Sequence, residues 1–197
     1  MRKIRLLLIL IILCCGNYII AQKLSKEERQ EILDTKKNGT YIDCIEKNII
    51  DEFTLDTIIQ TKGRIVDKRG LYSTTIYIKK INGIAYLKFG YLSSGIISVN
   101  KGDFLMLKLE NDEIIKLPAF FDSIAEGTYF DTFKTTIWVL ETSYLLTDEI
   151  QENLKSSNLY KFRLYTTKGY IEREIKKKNS GALIETLDCL DKIKHNN

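Results

Sequence analysis

The chain has 197 residues, 44% of them hydrophobic and 28% charged, with a single proline; that balance excludes a disordered or low-complexity polypeptide. Lys and Arg number 30 against 26 Asp and Glu, a formal charge of +4, but three of the bases fall within the first five residues. The excess is therefore not the footprint of a nucleic-acid-binding face.

Residues 1–21 begin Met1-Arg2-Lys3-Ile4-Arg5, continue in a Leu/Ile run over 6–13, and weaken through Cys14, Cys15, Gly16 and Asn17 to Ile20-Ala21. Basic, greasy and small-residue segments in that order predict a secretory signal peptide cut after Ala21, leaving a chain that begins at Gln22. The expected location is periplasmic or secreted. A lipoprotein reading would acylate Cys14 or Cys15, but Leu13 or Cys14 then occupies a position that calls for a small residue. An uncleaved anchor is the weakest reading, because the run falls short of the roughly 20 apolar residues that span a bilayer. Cleavage would leave 176 residues, with 27 bases against 26 acids, enough for one domain with a proper core.

In chain order, Ser25-Lys26-Glu27-Glu28 has the form of a capping box and predicts a short helix over 26–37, stopped by Asn38-Gly39. Residues 41–50 are ambiguous. From Phe53 the pattern turns to strands, with 55–66 rich in Thr, Ile and Val and Gly63 marking a bulge or bend. Asn82-Gly83 between 73–81 and 84–91 is a strong hairpin signal. Its register sets Ile76 opposite Phe89 and Ile78 opposite Leu87 on a core face. Tyr77 opposite Lys88 and Lys79 opposite Tyr86 form a solvated one. Strands follow at 104–110, where Leu105, Leu107 and Leu109 alternate, at 113–117, and at 135–144; between the last two lies a less regular stretch over 119–134. Thr147 caps a short helix, with Asp148 and Glu149 at its positive end. A second hairpin turns at Lys168-Gly169, pairing Phe162 with Ile175 and Arg163 with Glu174. Ser180 opens a last helix whose Leu183, Leu187 and Leu190 form one stripe.

The sole His, His195, lies near the end of the chain, which removes His-dependent triads and His-bearing zinc sites. No Cys-x-x-Cys, Gly-x-Ser-x-Gly, phosphate loop or EF-hand spacing is present. No cofactor or metal is expected. Two cysteines fall in the export segment; the remaining pair, Cys44 and Cys189, allows one disulfide in an oxidising compartment, against two idle thiols. Carboxylate pairs are the remaining catalytic class, drawn from Asp51-Glu52, Asp103, Asp112-Glu113 and Asp122 with Glu126. Most sit at turns, where Asp is expected for turn chemistry alone. A calcium loop over 122–131 lacks liganding periodicity.

Aromatic residues supply the best binding candidate. Phe120, Phe121, Tyr129 and Phe130 on the irregular stretch could present an exposed platform. The commoner outcome, and the expected one, is that such rings fold back and plug the end of a sheet core. The Tyr77, Lys79, Tyr86 and Lys88 face is a second candidate, with an ordinary solvated sheet face as its expected role.

Three stretches carry a resemblance: Asp51-Glu52-Phe53-Thr54; Lys101-Gly102-Asp103-Phe104-Leu105-Met106-Leu107-Lys108-Leu109; and Tyr160-Lys161-Phe162-Arg163-Leu164-Tyr165-Thr166-Thr167-Lys168-Gly169-Tyr170. Through them, and the Ala21-Gln22 junction, the chain resembles a family of small, uncharacterised exported proteins of Bacteroidota. The resemblance implies export and a strand-rich body; no activity attaches to that family, so no functional residue carries over.

These readings combine into an organisation of signal peptide over 1–21, N-terminal helix and connecting segment over 22–50, and a single domain over 51–194. The expected fold is α+β, mainly an antiparallel sheet or sandwich with a short inserted helix and a C-terminal helix packed on the sheet. The expected function is a non-catalytic envelope or secreted module that binds a protein or glycan, with no nucleic-acid partner and with the membrane met only through the export segment. Alternatives are a carboxylate-dependent hydrolase acting on glycans and a lipid-anchored structural envelope component.

Overall fold

The computed structural model describes residues 44–131 and 134–194; the signal peptide expected over 1–21, the helix expected over 26–37 and His195 lie outside them. The described chain is mainly antiparallel β-sheet with two α-helices, the α+β arrangement expected from the sequence.

The strands are β1 (Ile45–Ile50), β2 (Thr57–Thr61), β3 (Arg64–Arg69), β4 (Tyr72–Ile81), β5 (Ile84–Ser93), β6 (Ser98–Val99), β7 (Phe104–Leu109), β8 (Ile114–Pro118), β9 (Ser123–Ile124), β10 (Glu126–Phe130), β11 (Thr135–Leu146), β12 (Leu159–Thr166) and β13 (Gly169–Glu174). Helix α1 (Asp148–Lys155) is inserted between β11 and β12, and α2 (Ala182–Lys194) follows β13. A seven-stranded sheet runs β1-β2-β4-β5-β11-β10, with β3 sharing the β4 edge with β2. A four-stranded sheet runs β13-β12-β7-β8, and β6 pairs with β9.

The first hairpin follows the sequence register pair for pair, from Ile76 opposite Phe89 to Lys79 opposite Tyr86. Asn82 and Gly83 both take positive φ, +48° and +88°, so the turn twists with its strands. The strand expected over 55–66 divides around Lys62-Gly63, where β2 gives way to β3 along one edge of β4. The ambiguous segment is resolved too: Ile45–Ile50 pairs with β2, so the sheet begins ahead of Asp51.

Two expectations need correction. The second hairpin pairs Phe162 with Arg173 and Arg163 with Glu172, so its loop residues are Thr167-Lys168. The Thr166 hydroxyl accepts from Lys168 N at 3.2 Å and donates to Gly169 O at 2.9 Å, which draws the turn forward. Gly169, at φ +103°, takes the positive-φ position after the turn. The shift is two residues on the partner strand, so every side chain keeps its expected face. The stretch over 119–134 is more regular than expected, because β10 pairs with β11 without a break from Glu126 opposite Val139 to Phe130 opposite Thr135.

The core lies between the sheets. Alternate residues of β4, β5 and β11 face alternate residues of β7, β8 and β12, and the Phe89 and Phe162 rings meet edge to face with centroids 5.1 Å apart. Residue Ala119 extends β8 to bridge Tyr144 of β11, joining the sheets at one corner. Thr147 caps α1 by accepting from Ile150 N. Helix α2 buries Leu183, Leu187 and Leu190, as its stripe requires, against the β3 and β4 side of the large sheet. Cys44, just before β1, is disulfide-bonded to Cys189 of α2, with Cα atoms 6.0 Å apart.

Candidate functional site

Five of the candidate carboxylates, Asp51, Asp103, Asp112, Glu113 and Asp122, can be followed to a structural task. Asp51 Oδ1 accepts from Phe53 N and Thr54 N at 2.9 and 2.8 Å, and these backbone bonds, Thr54's first, hold its carboxyl below the usual range. Asp103 accepts from Asn100 N, Asp122 from Lys101 N, and Glu113 from the Ser156 hydroxyl. Asp112 lies 2.7 Å from Lys108 Nζ, and that bond lowers its pKa. Asp131, in the segment weighed for calcium, pairs with Lys134. Among the described residues no cluster of three or more His, Cys, Asp or Glu side chains is placed to hold a metal ion.

Sequence reasoning passed over Asp67. It is buried at the β3 bulge, with Oδ2 3.3 Å from Arg69 Nε and Oδ1 without a hydrogen-bond partner. Its position on a charged stretch, Arg64 to Arg69, gave no sign of burial, which comes from the break in register between Ile65 and Asp67.

The aromatic quartet does not plug the core, contrary to expectation. Phe120, Phe121, Tyr129 and Phe130 are 36, 58, 61 and 39% exposed. Next to Phe120, the core end is already occupied by Leu117, Ala119 and Tyr144, all buried. The four residues also fall in two separate places. Phe120 follows the β8–β11 bridge, its N–H donating to Ser143 O, whereas Phe130 pairs with Thr135 at the other end of β11. At about 3.3 Å per residue, the two places on β11 lie roughly 26 Å apart.

Phe120 instead joins the second candidate face. Its ring meets Tyr86 edge to face at 5.4 Å, and Phe121 stands at 86° to it with centroids 4.6 Å apart. Leu145, opposite Tyr86, is 37% exposed and extends the apolar strip. Beside this strip runs a polar one. Tyr77 donates its hydroxyl proton to Glu141 Oε2 at 2.7 Å, and Lys88 Nζ donates to Oε1 at 3.2 Å. Partial burial, then the bond to Glu141, pushes the Tyr77 hydroxyl pKa up, so it stays a donor. Two patches that are remote in sequence thus form one surface on the outside of the large sheet: exposed rings and Leu145 flanked by a satisfied Tyr–Glu–Lys group. Apolar side chains edged by fixed polar groups are the anatomy of a protein-binding patch. Glu141 went unnoticed in the sequence because its role depends on β11 lying beside β5.

No family model, curated protein or solved structure matches the chain. No helix of the described residues is long and apolar enough to cross a membrane.

Proposed function

We propose that the chain is a non-catalytic exported module that docks a protein partner through the outer face of its seven-stranded sheet, at Tyr86, Phe120, Phe121 and Leu145. The observation that carries this reading is the contact series at the surface, in which the Phe120 ring meets both Tyr86 and Phe121, with Phe120 and Phe121 exposed. A protein suits it better than a glycan. The rings stand at 61° and 86° to one another, so they offer edges and clefts for apolar side chains and lack the flat, continuous platform on which a sugar stacks. The structural hydrogen bonds that Asp51, Asp103, Asp122 and Glu113 accept favour binding over hydrolysis. Export rests on the basic-apolar-small order of residues 1–21 and on the resemblance to exported Bacteroidota proteins, and the Cys44–Cys189 bridge is compatible with an oxidising compartment. The test is capture from an envelope extract with the purified protein and with a Phe120→Ser/Phe121→Ser variant. A protein retained by the former and released by the latter supports the reading. Equal recovery by both, or ring-dependent retention of a glycan alone, overturns it.

A further inference from the structure

Sheet edges expose unpaired N–H and C=O groups, and folded proteins usually block them with charge, proline, bulges or cover. Four edges of this molecule are blocked in that way. Strand β1 carries Glu46 and Lys47 and a register break between Ile45 and Lys47. Strand β3 is broken between Ile65 and Asp67, and Asn179 Nδ2 donates to Val66 O. Strand β8 has Lys116 and ends at Pro118, and β13 has Glu172, Arg173 and Glu174 in succession.

Strand β10 differs. Its register with β11 is unbroken, all five residues are exposed, and its sequence Glu-Gly-Thr-Tyr-Phe has one charge and no proline. Among the described residues nothing pairs with its outer edge.

We propose that β10 is a pairing edge for a second copy of this chain, joined antiparallel about a two-fold axis through Thr128. The sequence of the strand is self-complementary in that register. Thr128 meets Thr128, a favourable cross-strand pair, and Glu126 meets Phe130, which keeps the two Glu126 side chains at opposite ends. Gly127 meets Tyr129 of the second copy. Gly127 also pairs with Trp138 on its own sheet, so closely that an added Cβ would lie 3.1 Å from the indole. The second copy's Tyr129 would therefore come to the open side of a glycine already flanked by an indole, covering backbone that is otherwise bare. A two-fold arrangement of this kind is closed, so it ends at a dimer and does not grow.

The contact is smaller than the roughly 1,600 Å² of a standard stable interface, so the association is weak and concentration-dependent. Sedimentation of the purified protein, in a series reaching on the order of 100 μM, tests it. The expected result is a reversible shift towards twice the monomer mass. Thr128→Lys and Thr128→Glu, each at an exposed edge position, should each remain monomeric by setting like charges across the axis, and their mixture should recover the dimer. Monomer at every concentration overturns the proposal. So does dimerisation that persists in both single variants, or failure of the mixture to recover it when both variants are folded by circular dichroism.

Discussion

The outer faces of the two sheets draw on similar residues, Tyr, Lys and acid, and reach different states. On the four-stranded sheet the charges satisfy one another: Lys161 lies 3.3 and 3.4 Å from Glu172 and Glu174, and Arg163 Nη2 lies 2.5 Å from Glu172. The tyrosines there lie against cations, Arg163 over Tyr170 at 4.5 Å and both Lys108 and Lys161 near the Tyr160 ring. On the seven-stranded sheet Glu141 gathers Tyr77 and Lys88 in the same way, but Tyr86 is met by Phe120, and the strip runs on to Phe121 and Leu145. A face of neutralised charges and cation-backed rings has little left to offer a partner. Exposed Phe120, Phe121 and Leu145 leave apolar surface still to be covered.

That comparison can be broken in graded steps. The strongest test removes what the two sheets share: Phe162→Ala takes the ring from Phe89 and should cost about 3–5 kcal/mol in urea unfolding. Cys44→Ser should cost about 2–5 kcal/mol, because the bridge closes a loop of 145 residues in sequence, with reduction of the wild type giving a similar loss. Gly83→Val forces a β-branched residue to φ +88° and should cost on the order of 1–3 kcal/mol, read as a lowered melting temperature. An unchanged Tm would contradict the hairpin register.

The smaller effects separate the faces themselves. The Arg163 hydrogen bond, then that of Lys161, holds the Glu172 carboxyl below its usual range. A depressed folded pKa contributes stability above the unfolded value and loses it as pH falls through the folded one. Melting temperature should therefore decline on acidification below the ordinary carboxylate range, and Glu172→Gln should flatten part of that decline. Phe121→Ser should leave stability within about 0.5 kcal/mol, since the ring is exposed, while weakening partner capture. A clear loss of stability in Phe121→Ser would make that strip a structural patch.

Local chemistry determined a large part of this molecule. Asn82-Gly83 set a hairpin and its register, Thr147 set the start of α1, and the alternation of Leu105, Leu107 and Leu109 set a buried face, because each depends on neighbours within a few residues. The second hairpin shows the margin of such reasoning: its faces were legible, but the Thr166 hydroxyl moved the turn and changed every partner by two. Tertiary structure alone decided that Phe120 lies beside Tyr86 and away from Tyr129 and Phe130, that Glu141 reaches Tyr77, and that the bulge at β3 buries Asp67. Each of these follows from which strands become neighbours. That choice is made by burial of apolar surface summed over both sheets, a quantity that no short window of sequence contains.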